Sequence, residues 1–133
     1  MFKLRKILNA GSNIPEYCLL PVKAGLNYKR GCALILKEGV LCHPEATDAP
    51  THVSVSDFAS GEGSELICYK ITPDMLFEAL RDDDTLLKRG DRFALRAEDG
   101  ACLYLTRSDE GAAVLYELPD TDEQRKITVR FHM

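Results

Sequence analysis

The chain predicts a mainly β fold: two related small β-sandwich or barrel-like modules made by an internal repeat, with at most one or two short helices. Three observations carry this. Lys29-Arg30-Gly31 opens an apolar run at 32–36 that turns at Glu38-Gly39 and continues as Val40-Leu41-Cys42. Fifty-nine residues later Lys88-Arg89-Gly90 opens Phe93-Ala94-Leu95, which turns at Asp99-Gly100 and continues through 101–105. Each copy then carries a middle apolar stretch (52–55; 113–118) and closes on a strong alternating one (66–71; 127–131). Short strands recurring at roughly 8–12-residue spacing, parted by Gly turns, mark a small sandwich or barrel.

The elements follow in order. Residues 1–16 form an N-terminal arm and loop: a basic, apolar start (Phe2, Lys3, Leu4, Arg5, Lys6, Ile7), then a cluster of Gly11, Ser12, Asn13 and Pro15 chosen for turn geometry. The arm reads either as a first strand or frayed tail, or as a segment that docks on an acidic partner. Its apolar stretch at 7–10 is shorter than the roughly 7–15 residues of a secretion-leader core. No run nears the roughly 18 apolar residues of a membrane span. Residues 17–23 read as a strand, with Pro21 marking an edge or bulge. Residues 32–36 are nearly all apolar, as in a strand covered on both faces. The Lys37-Glu38-Gly39 turn has the composition of a tight hairpin. Val53 and Val55 alternate with Ser54 and Ser56, a half-buried strand. A polar Gly61-Glu62-Gly63 turn leads to the strand at 66–71.

Residues 72–81 read two ways. Thr72 before Pro73 matches a helix N-cap with proline at the first helical position, and Met75, Leu76, Ala79 and Leu80 fall at helical spacing. As a strand, Met75 and Phe77 share a face. The spacing favours a short helix. Asp82-Asp83-Asp84 reads as a solvated acidic turn. In the second copy Phe93, Leu95 and Ala97, then Leu103 and Leu105, then Ile127, Val129 and Phe131 alternate with more polar neighbours, and 119–122 is a polar turn. The division is an arm at 1–16, a first module at 17–81 and a second at 82–133, or one compact domain.

Composition excludes several classes. A formal net charge of -4 argues against a general nucleic-acid binder, which needs surplus Lys and Arg to displace counterions. The +3 of residues 1–15 leaves -7 for the rest, so a basic arm precedes an acidic body. The five cysteines (Cys18, Cys32, Cys42, Cys68, Cys102) are odd in number, lack a Cys-x-x-Cys pair and sit in apolar company. They read as free thiols of a reducing cytoplasm. Cys42-His43 are neighbours, and neighbours on a strand point to opposite faces, unlike a nucleophile and its base. Cys42, His43 and His52 lack the spacing of a zinc motif. The acidic triple lacks the alternating acids and central Gly of a calcium loop. No nucleophile elbow or phosphate loop is present. No catalytic, cofactor-binding or metal-ligating residue is assigned, and no cofactor is expected.

The ordered parts resemble one family. They are Tyr28-Lys29-Arg30-Gly31 with its apolar run, Lys37-Glu38-Gly39, Ala49-Pro50-Thr51-His52-Val53-Ser54-Val55, Gly61-Glu62-Gly63 and Phe77-Glu78. Leu87-Lys88-Arg89-Gly90-Asp91-Arg92-Phe93, Asp99-Gly100 and Val129-Arg130-Phe131 complete the set. From about Tyr17 to Phe131 the chain resembles the small head decoration, or head fibre base, proteins of tailed bacteriophages. The resemblance implies a non-enzymatic virion protein, made in the bacterial host cytoplasm and added to the outer capsid surface. It implies contact with the major capsid protein, a trimer as the favoured homo-oligomer, and neither nucleic acid nor membrane as partner. It also implies an extended segment at 71–78, against the helical spacing. The cysteines and the Lys3-Leu4-Arg5-Lys6 start depart from the family pattern.

The contact candidates are Phe2, Lys3, Leu4, Arg5 and Lys6 of the arm and the repeated Lys29, Arg30, Lys88 and Arg89. Removing residues 1–8 is expected to weaken partner binding and leave the fold intact. The alternative function is a β-barrel module for a small ligand or sugar, with Tyr69, Tyr104 and Tyr116 lining a pocket.

Overall fold

Alternation of apolar and polar residues at period two commits most of this chain to strands, and the computed structural model resolves how they close. It describes residues 1–8, 14–59, 64–83, 85–119 and 125–132. The expected turn at 61–63, Asp84 and most of the loops at 9–16 and 119–122 lie outside the described residues. The strands are β1 (Lys3–Ile7), β2 (Tyr17–Pro21), β3 (Asn27–Tyr28), β4 (Ala33–Lys37), β5 (Val40–Cys42), β6 (His52–Ser54) and β7 (Phe58–Ala59). They continue as β8 (Glu65–Lys70), β9 (Met75–Arg81), β10 (Arg92–Glu98), β11 (Ala101–Arg107), β12 (Ala113–Glu117) and β13 (Lys126–Phe131). The fold is all β, with no helix among the described residues.

Five strands of the second half close on themselves. β9 pairs with β13, β13 with β12, β12 with β10 and β10 with β11, all antiparallel. β11 then returns to β9 in parallel at Tyr104–Leu80 and Leu105–Arg81. The first half follows the same path: β2 with β8, β8 with β6, β6 with β4, β4 with β5. A parallel bridge from Leu41 of β5 to Val22, just after β2, closes it. The main-chain bonds at the joints correspond. Gly31 N–H donates to Ser54 O, and Gly90 N–H to Leu115 O; Lys23 N–H donates to Leu41 O, and Asp82 N–H to Leu105 O. β4 meets β11 at Ala33–Cys102, which joins the two halves into one sheet system, and β3 and β7 form a separate small ribbon.

The cores match this division. One buried cluster fills the first barrel with Val22, Tyr28, Cys32, Leu34, Leu41, Leu66 and Cys68. The other fills the second barrel with Phe77, Phe93, Leu105, Leu115, Ile127, Val129 and Phe131, and extends onto Val53, Tyr69 and Ile71 of the first half. Side chains fill both small barrels, as their strand number dictates.

Three expectations need correction. Residues 75–81 are strand, not helix. Thr72 starts a turn, with Met75 N–H donating to Thr72 O. From there Met75, Phe77 and Ala79 face the core while β1 covers the edge of the strand. β9 belongs to the second barrel by its pairings with β13 and β11, so the boundary between halves falls near 72–74 and not at 81. Of the readings given for the N-terminus, the first strand is the one found, while Phe2 is misassigned as a partner contact. That strand is β1, antiparallel to β9 with a bulge between Leu4 and Lys6.

Phe2, offered as a contact for a partner, is only 2% exposed. Its ring lies 5.7 Å from Phe131, which lies 5.6 Å from Phe77, and its N–H donates to Gly31 O at 2.8 Å. An apolar ring buried at the junction of both halves stabilises the fold and is unavailable to a partner.

Candidate functional site

The face of β2 that points into the first barrel carries Cys18 and Leu20; its partners across the ladder are Cys68 and Leu66 of β8. Because strand side chains alternate, Tyr17 and Leu19, with their partners Tyr69 and Ile67, point the other way. Tyr69 is covered, stacked on Phe77 at 6.4 Å. The rest of that face is open: Tyr17 is 57% exposed, Leu19 55% and Ile67 48%, and nearby Ile14 is 74% exposed. Single exposed apolar residues are ordinary, but a contiguous set on one sheet face marks an interaction surface. Tyr17 meets Tyr69 edge-on at 6.3 Å, which anchors the patch to the core.

A recess of about 270 Å³ adjoins this patch, with Ile14, Pro15 and Tyr17 on one side and Lys3 and Arg30 among its lining. Two of the basic contact candidates therefore border an apolar surface. The others are placed differently. Arg5 is paired with the chain's own Glu78 at 2.7 Å, and Leu4 is half-buried against the core. Lys6 is exposed. Lys29 reaches Asp99 of the other half at 3.4 Å.

Lys88 and Arg89, both exposed, occupy the turn of the second barrel that corresponds to Lys29-Arg30 in the first. The Lys88 N–H donates to the Asp91 carboxylate at 2.8 Å, and Arg107 lies 3.0 Å from it. These contacts, the amide first, hold the Asp91 carboxyl below the usual carboxylate range.

The chemically active residues weighed on the sequence do not assemble as the motifs would require. The Cys42 thiol donates to Ile35 O at 3.7 Å, whereas the His43 ring stacks on Tyr28 at 4.8 Å with Nε2 2.9 Å from Asn27 O. His52 lies instead inside the first barrel with Cys18 and Cys68. Burial and the facing Lys70 lower its pKa, in that order, and burial pushes the Cys68 thiol up to about 12. Tyr69, Tyr104 and Tyr116 line no common pocket among those described: Tyr69 borders the recess beside β2, and Tyr116 a separate one near His132.

The exposed patch was not singled out on the sequence. Its signal was present, though: 17–20 and 66–69 are apolar at every position, and only one face of each can enter a barrel.

Fold and surface together define the class, an all-β protein of two linked five-strand barrels with an apolar face left open on one of them. No family model matches the sequence, and no curated protein does. Among solved structures, the head fiber gp8.5 N base in bacteriophage phi29 is similar, with a TM-score of 0.54 and 17% identity over 89% of this chain and 94% of that one. At that identity the likeness establishes a shared fold.

Proposed function

We propose that this chain is a structural component of a bacteriophage virion, made in the host cytoplasm and attached as a trimer to the outer capsid surface through the major capsid protein. The observation that carries the reading is the fold-level similarity to a head fiber base, which spans nearly all of both chains. Fold alone does not fix function, so the surface matters. The open face of Tyr17, Leu19 and Ile67 beside Lys3 and Arg30 suits adhesion: apolar area for affinity, charge at the margin for orientation. Many copies on a repeating lattice multiply weak contacts by avidity. The role is binding and reinforcement, without a chemical step.

The test mixes purified protein with undecorated heads from the phage or prophage that encodes it and measures occupancy by sedimentation and by density on the shell. Wild type should bind in register with the lattice, and its mass in solution should be that of three chains. The double variant Tyr17→Asp, Leu19→Asp should remain folded and lose about 30-fold in affinity, the equivalent of one 2 kcal/mol anchor. Bare heads with wild-type protein would overturn the proposal.

A further inference from the structure

We propose that Cys18, His52 and Cys68 form a binding site for one thiophilic divalent cation, with zinc as the fitting ion. The three residues come from three neighbouring strands, β2, β6 and β8, and are 34 and 16 positions apart in sequence, so no local motif announces them. Register brings them together. Cys18 stands directly opposite Cys68, and Ser54 opposite Cys68 on the other side, which places His52 diagonally on the same face. The ligand atoms all lie within 4.8 Å of one another.

The geometry suits a tetrahedral centre. Zn–S bonds of about 2.3 Å imply a sulfur–sulfur edge of about 3.8 Å; the Cys18 and Cys68 Sγ atoms are 3.6 Å apart. The imidazole is held for the purpose. Its Nδ1 lies 2.8 Å from Thr51 Oγ1, which in turn accepts the Leu36 N–H at 2.8 Å. That contact orients the ring and leaves Nε2 to face a metal, the outer-shell support common to metal-ligating histidines.

His52 and Cys68 are buried while Cys18 is half-exposed, so a solvent molecule supplies the fourth position. Charge balances: each thiol gives up its proton to solvent, and two thiolates with a neutral imidazole cancel the ion's two charges. Lys70, opposite His52, opposes the cation, but it is exposed and its ammonium extends into water. The other three thiols lack such company: Cys42 and Cys102 donate to the carbonyls of Ile35 and Pro44, and Cys32 is buried in the core.

The test titrates reduced, full-length protein with Co²⁺ and then displaces it with Zn²⁺. One equivalent should bind, with thiolate-to-cobalt charge-transfer bands, the ligand-field bands of a four-coordinate ion and release of two protons. Cys18→Ser should lose more than the roughly 10–100-fold typical of an outer-shell change, and His52→Ala should also weaken binding, whereas Cys42→Ser should bind as wild type does. If Cys18→Ser fails to fold, the wild-type cobalt spectrum and proton count decide alone. A wild-type protein without thiolate–cobalt bands, or equal affinity in Cys18→Ser, overturns the site. So does a reduced protein that takes no metal and instead closes a Cys18–Cys68 disulfide in air.

Discussion

The two barrels follow one path and differ at their edges and ends. Both strands that open a barrel, β2 and β9, pair with the last strand of their own half on one side. On its other side β9 is covered twice, by β1 along Met75 to Glu78 and by β11 at Leu80 and Arg81. Among the described residues β2 has on that side a single bridge, Val22–Leu41, just beyond its end. Pro21, which lacks an N–H, sits where such an edge needs protection from stray pairing. The second barrel is thus sealed by the chain itself, while the first keeps an edge and an apolar face in contact with solvent. Edge sealing and apolar exposure are divided between the halves.

The sharpest way to break this contrast is to unseal β9. Phe2→Ala should cost about 3 kcal/mol, since a ring buried at the junction leaves a cavity that rigid sheets cannot collapse. Removing residues 1–8 should cost more, because the β1 ladder and the Arg5–Glu78 pair go with it. Urea unfolding monitored by far-UV circular dichroism measures both. A truncated protein as stable as the full chain would show that β1 is an accessory strand and not a seal.

The same contrast shows what could be read from the chain. The paired turns were visible because their backbone geometry demands particular residues. Lys-Arg-Gly and acidic-Gly recur where Gly31 and Gly90, and Gly39 and Gly100, take positive φ. The alternating strands of the second half were visible for the same local reason. β9 was misread because Glu78 interrupts its apolar residues, and Leu76 and Leu80 lie on the face opposite Met75, Phe77 and Ala79. Met75, Leu76, Ala79 and Leu80 then satisfy helical spacing as well as the strand satisfies its own. Phe2 was misread because an apolar residue beside lysines looks the same in an arm and in a strand; only its long-range contact with Phe131 tells them apart. The Cys18–His52–Cys68 grouping depends on strand order and register, which no local spacing encodes.

The barrel ends offer a second, smaller contrast. Position 22 is valine in the first half, and its counterpart by main-chain bonding, position 81, is arginine: Val22 N–H donates to Ser64 O and Arg81 N–H to Arg125 O. The Arg81 side chain is fully buried, bonded to Asp83 at 2.8 Å and to Thr85 O at 2.8 Å. The first barrel uses Tyr28 instead, whose hydroxyl donates to Lys23 O at 3.0 Å. Arg81→Ala should cost about 2–3 kcal/mol, through the lost packing of a long buried stem as well as its hydrogen bonds. Tyr28→Phe keeps the ring and should cost about 1 kcal/mol. Equal costs in urea titrations would mean that the buried guanidinium contributes no more to closing its barrel than the Tyr28 hydroxyl does to the other.

The smallest difference lies in the two hairpin turns. Glu38 and Asp99 both have φ of 52°, followed by Gly39 and Gly100 at 81° and 82°. Two successive positive φ values make the primed turn that suits strand twist. At the first of these positions a short side chain that bonds locally to the backbone is favoured, and glutamate is not such a residue. The first barrel therefore carries a strained turn where the second carries a relaxed one. Glu38→Asn should raise stability by about 0.5 kcal/mol and Asp99→Asn should leave it nearly unchanged. Thermal unfolding of the two variants side by side resolves this. A gain at both positions, or at neither, would show that the residue at φ 52° is indifferent here, so that the strain difference between the turns comes from elsewhere in the hairpin.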